Sequence, residues 1–132
     1  MRRLLWLVLL LAGCGQPSAP APAASAQPAV CADLVKGCRI GPLTVRAETL
    51  PTALRPFKLW VAAPAARSVT ADLAMVDMDM GPNRYRMLAQ QGRFVAQVIL
   101  PMCVAGRSDW LLTLEVDGKP VQLQFTITGQ RH

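Results

Sequence analysis

From residue 43 to residue 127 the chain is apolar at every second position, in short runs separated by turn residues. Leu43 and Val45 alternate with Thr44 and Arg46. Phe57, Leu59 and Val61 alternate with Lys58, Trp60 and Ala62. Val69, Ala71 and Leu73 alternate with Thr70 and Asp72. Phe94, Ala96, Val98 and Leu100 form a fourth set, Trp110, Leu112, Leu114 and Val116 a fifth, and Val121, Leu123, Phe125 and Ile127 a sixth. Side chains of a strand point to opposite faces in turn, so this pattern describes strands with one face in a core and one in water. No stretch carries a helical period.

The fifth and sixth runs are joined by Asp117-Gly118-Lys119, a strong hairpin signal. Pro51, Pro56, Pro64, Pro82, Pro101 and Pro120 lie at or beyond run ends, where a missing amide hydrogen is tolerated. A short strand over residues 85–89 brings the expected count to about seven. About seven short, half-buried strands in one domain predict an immunoglobulin-like antiparallel β-sandwich with Trp110 in its core. The antibody-type order of Cys, Trp and Cys is missing, so the likeness is one of topology only.

The domain does not open the chain. Arg2 and Arg3 precede an apolar run over residues 4–11, too short for a permanent membrane span, and the run ends in Leu11-Ala12-Gly13-Cys14. Small residues before a cysteine at that position resemble the lipobox of bacterial lipoproteins. The resemblance implies removal of residues 1–13 as a signal peptide and lipidation of Cys14, palmitate included. Several acyl chains on one residue make a stable membrane anchor. Gly15 after that cysteine favours the outer membrane over the inner, by resemblance to lipoprotein sorting rules. Residues 14–29 then form a tether. Alanine, proline and serine dominate it, without charge or bulk, so it cannot bury enough apolar area to offset its ordering entropy. The folded domain is expected over residues 30–132.

Of fourteen basic residues, losing Arg2 and Arg3 leaves twelve against eight acidic ones, a net charge of about +4. The charges are scattered, and an exported protein meets little nucleic acid, so the pI of 9.8 is not a nucleic-acid signal. A basic surface beside anionic lipid accounts for it. Outside the cytoplasm thiols oxidise. Cys31 and Cys38 are the first choice for a disulfide, with Cys38–Cys103 as the alternative pairing. The remaining cysteine is then odd, and Cys103 reads as a buried thiol or a metal ligand.

The unusual segment is residues 73–87, LAMVDMDMGPNRYRM. It holds Met75, Met78, Met80 and Met87, four of the six methionines, around Gly81-Pro82-Asn83. The alternation slips phase at Met75-Val76. A bulge there would place Met75, Met78 and Met80 on one side. A four-residue loop over residues 81–84 would oppose Met80 to Tyr85 and Met78 to Met87, so that Met78, Met80 and Met87 converge. Thioethers fill irregular core gaps, and they also select Cu(I) over hard cations without deprotonation. Met102 and Cys103 are candidate additional ligands. The lone histidine, His132, is terminal, which argues against a Zn or Cu(II) site.

The run into Met75-x-x-Met78-x-Met80, then Gly92-x-Phe94, then Gly106 to Trp110 and the Phe125 strand, resembles the YtkA-like and FixH-like families of small extracytoplasmic β-sandwich proteins. The resemblance implies a copper-linked accessory role, in FixH-like proteins towards haem–copper respiratory oxidases. A lipobox stands where FixH-like proteins have a transmembrane helix, and the methionine segment has no histidine.

Asn83, Arg84, Tyr85 and Arg86 form a polar, cationic tip that could dock an acidic partner surface. Ser108 has no histidine to activate it. Asp77 and Asp79 have no glycosidase-like context, and no phosphate loop or CxxC is present. The sequence therefore reads as a non-enzyme: a lipid-anchored envelope protein facing the periplasm that handles Cu(I). The alternative is a metal-free β-sandwich lipoprotein that serves as a protein–protein interaction module of the envelope.

Overall fold

A computed structural model describes residue 15 and residues 27–76, 78–101 and 109–127 of the 132. Among them are ten strands and no helix: β1 (Ala29–Cys31), β2 (Cys38–Ile40), β3 (Leu43–Ala47), β4 (Phe57–Ala62), β5 (Val69–Met75), β6 (Arg84–Arg86), β7 (Leu88–Gln90), β8 (Arg93–Val98), β9 (Asp109–Val116) and β10 (Lys119–Thr126). They form two five-stranded sheets, in the order β1-β10-β9-β5-β6 and β2-β3-β4-β8-β7. All pairings are antiparallel except β1 with β10. The expected β-sandwich is present, with ten strands where about seven were expected.

Each apolar set read from the sequence faces inward. Leu43, Val45, Phe57, Leu59, Val61, Val69, Ala71, Leu73, Phe94, Ala96, Val98, Leu100, Trp110, Leu112, Leu114, Leu123 and Phe125 are buried between the sheets. No polar or charged residue is fully buried among the described residues. That is the arrangement the hydrophobic effect selects when a sheet has one wet face. Both sheets and all these core side chains lie within residues 27–127.

The hairpin signal is realised as read. Val116 pairs with Lys119, and Asp117 and Gly118 bridge them with φ of 49° and 81°. Two positive-φ residues make the turn whose twist matches the strands, and Asp-Gly tolerates it. The Asp117 carboxylate accepts from the amides of Arg67 and Ser68, each at 2.9 Å. Those bonds, Ser68 first, hold its pKa below the usual carboxylate range.

Both long edges of the sandwich are closed by the chain itself. On one side Cys31, ending β1, and Cys38, opening β2, form a disulfide with Cα atoms 5.8 Å apart. β1 is an edge of the first sheet and β2 an edge of the second, so this bond ties the two sheets together. The intervening turn is capped by Asp33, whose Oδ1 accepts from the amides of Val35 and Lys36. On the other side a single residue, Met87, carries the chain from β6 in the first sheet to β7 in the second. The one strand expected over residues 85–89 is therefore two short strands in different sheets.

The methionine end as candidate functional site

Val69, Ala71, Leu73 and Met75 face the core from β5, and Met75, its last residue, pairs with Trp110 of β9. There the chain leaves the sheet. The Val76 amide donates to the Asp109 carbonyl at 3.1 Å, and the Met78 amide to the Met75 carbonyl at 3.4 Å. Met75 and Met78 form an isolated antiparallel bridge. The phase slip at Met75-Val76 is thus a turn out of the strand, and the expected bulge is absent. Beyond it the Asp79 carboxylate accepts from the Gly81 amide at 3.0 Å, and Gly81 has φ of 75°. An Asx-type bond followed by a left-handed glycine turns the chain back. The Leu73 amide then donates to the Asn83 carbonyl at 3.0 Å, and β6 begins.

This path fixes a register different from the expected one. Arg84, Tyr85 and Arg86 pair with Asp72, Ala71 and Thr70, and the Met87 amide donates to the Val69 carbonyl at 3.0 Å. Tyr85 therefore does not oppose Met80, and Met87 does not oppose Met78. Met87 is level with Val69, six residues along β5 from Met75. At 3.3 Å per residue that separates the two by about 20 Å. The expected convergence of Met78, Met80 and Met87 fails for this reason: the return loop spans residues 76–83, longer than the four residues assumed. Met87 is only 5% exposed and fills the core where the chain crosses between sheets.

The structure does bring Met75, Met78 and Met80 to one end of the sandwich. Partners in an antiparallel bridge present side chains to the same side, with Cβ atoms about 5 Å apart. Met75 is 4% exposed, and Met78 and Met80 are half-buried against the same core. The donors gathered there are neutral thioethers. Among the described residues no three His, Cys, Asp or Glu side chains come together as a metal-binding group. Met102, Cys103, Asp77 and the lipidation candidate Cys14 lie outside the described residues.

The cationic tip divides into two parts. Arg84 and Arg86 point outward, and Arg84 pairs with Asp72 at 3.4 Å on the outer face. Tyr85 turns inward. Its hydroxyl donates to the Ile99 carbonyl at 3.0 Å and accepts from the Ile99 amide at 3.1 Å, linking β6 to the residue after β8 in the other sheet. Asn83 is half-buried, and its Nδ2 is buried without a hydrogen-bond partner. No alternation rule signals the Tyr85–Ile99 link, because it depends on how the sheets meet.

The fold and this end define an all-β sandwich with a thioether-rich loop. A comparison of the chain with protein-family models, curated proteins and solved structures finds no match.

Proposed function

We propose that this is a non-catalytic envelope protein, anchored by lipid at Cys14 and facing the periplasm from the outer membrane, that takes Cu(I) as cargo at Met75, Met78 and Met80. The observation that carries the reading is the Met75–Met78 bridge, with Met80 two residues further along the same loop. Thioethers are soft, stay neutral at every physiological pH and do not form disulfides, so they suit Cu(I) in an oxidising compartment. The resemblance to YtkA-like and FixH-like proteins supports delivery to a respiratory oxidase as the destination. The outward Arg84, which directly follows this loop and pairs with Asp72, supplies a cation at its rim for an acidic partner.

A metal-free interaction module is favoured by a different observation. Met75 and Met87 are as buried as the aliphatic core, and methionine there can serve packing alone. Competition of residues 27–132 with a chromophoric Cu(I) chelator separates the two. The copper reading predicts one-to-one uptake that is lost in Met78→Leu, Met80→Leu. The module reading predicts no uptake in either form.

A further inference from the structure

One sheet carries both signs of charge on its strands, with Arg84, Arg86 and Lys119 among its cations, and the other carries only cations. Every carboxylate on a described strand, namely Asp72, Asp109 and Glu115, belongs to the sheet that holds β5 and β9. The strands of the other sheet carry four cations and no acid: Arg39 on β2, Arg46 on β3, Lys58 on β4 and Arg93 on β8. All four are exposed, at outward positions of their strands. Two acids approach the rim. Glu48 follows β3, its amide bonded to the Lys58 carbonyl, and Asp33 is occupied by Lys36 and by loop amides.

The same face has an apolar centre. The pairing aligns Trp60, Val95 and Leu88 in one row across β4, β8 and β7. Leu88 is 68% exposed, Trp60 is half-exposed, and the Arg93 guanidinium sits 4.9 Å from the Trp60 ring centroid. Towards β6 the face continues into an open groove of about 450 Å³, where Lys58 and Arg86 stand beside Gln90 and Gln97.

We infer that this face docks flat on an anionic phospholipid surface. Basic side chains around a half-exposed Trp and an exposed Leu match the two layers of a membrane interface, anionic headgroups outside and acyl chains just beneath. Each Lys or Arg near such a surface raises partitioning roughly fivefold. Arg39, Lys58 and Arg93 stand exposed on this one face, Arg46 is held there with its Nε donating to the Val35 carbonyl at 3.0 Å, and the groove is polar and cationic enough to receive a headgroup phosphate. The inference is independent of copper binding.

Co-sedimentation of residues 27–132 with vesicles tests it. Vesicles containing phosphatidylglycerol should bind the protein, phosphatidylcholine alone should not, and added salt should weaken the binding. Lys58→Gln, Arg93→Gln together should lower partitioning at least tenfold, while Arg67→Gln, Lys119→Gln, the same charge loss beside β5 and on β10 of the other sheet, should leave it within about twofold. Tryptophan emission should shift to the blue on the anionic vesicles, and Trp60→Phe should abolish the shift. Equal weakening by both double variants would reduce the effect to net charge and overturn the inference. Equal binding to both vesicle types would also overturn it, as would retention on an acidic polypeptide without vesicle binding.

Discussion

Met75 and Met87 stand at opposite ends of β5: Met75 closes the strand opposite Trp110, and the Met87 amide bonds the carbonyl of Val69 where the strand begins. Two methionines twelve residues apart in sequence are therefore far apart in space. Met87→Ala should cost about 2–5 kcal/mol through the cavity it leaves in a closed core. Met87→Leu, nearly isosteric, should cost less than about 1.5 kcal/mol. Urea denaturation checks both, and neither change should alter Cu(I) affinity if the site is at the Met75 end. A loss of copper affinity in Met87→Leu would return Met87 to the ligand set.

Tyr85 holds the sheets together across the β6–β7 edge through its two bonds to Ile99. Tyr85→Phe keeps the ring and leaves the Ile99 amide and carbonyl without that partner. The expected loss is about 1–2 kcal/mol, since a net hydrogen bond contributes near 1 kcal/mol. In a domain of this size the melting temperature should fall by roughly 4–8 °C for each kcal/mol. An unchanged melting temperature would show that water replaces the hydroxyl without cost.

On the opposite edge the Cys31–Cys38 bond closes a short loop, with a sequence separation of 7. Chain-entropy arguments assign a loop of this length about 2–3 kcal/mol. The Cys31→Ala, Cys38→Ala variant should unfold at correspondingly lower denaturant, with a steeper slope of the transition reporting the expansion of an unfolded chain freed of its cross-link. Because the bond lies on the edge away from β5 and β6, the copper affinity of the folded variant should match that of the parent.

Asp117 predicts a pH effect with a defined sign. Its carboxylate is held in the charged form by the Ser68 and Arg67 amides, so its folded-state pKa is depressed. A depressed pKa means stability that is present above the unfolded value and lost as pH falls through the folded one. Asp117→Asn keeps an acceptor oxygen and tolerates the positive φ but cannot titrate. The difference in unfolding midpoint between parent and variant should be constant near neutrality and shrink as pH falls through and below the usual carboxylate range. A difference that does not change down to strongly acidic pH would remove Asp117 from the acid response.

The strands that could be read from the sequence were those with long inward sets, such as Val69 to Met75 and Trp110 to Leu114. Their alternation is itself the record of which side meets the core. β1 and β2, three residues each, are too short for alternation to register. Residues 85–89 misled for a specific reason: Tyr85 and Met87 both turn inward, so a crossing between sheets mimics one continuous strand. The loop after Met75 misled because a phase slip can mark either a bulge or an exit, and only the pairing of Arg84 with Asp72 decides. The cationic face was invisible because Arg39, Arg46, Lys58 and Arg93 are scattered in sequence and meet only through the strand order.

Cu(I) binding at Met75, Met78 and Met80 is decided by the Cu(I) affinity of residues 27–132, measured by chelator competition on the parent and on Met78→Leu, Met80→Leu. Two half-buried thioethers replaced by leucine should each cost less than about 1.5 kcal/mol, which leaves the fold intact. The parent should take up one Cu(I) per chain, and the variant should bind it at least tenfold more weakly. No uptake by the parent, or equal affinity in both, would contradict it.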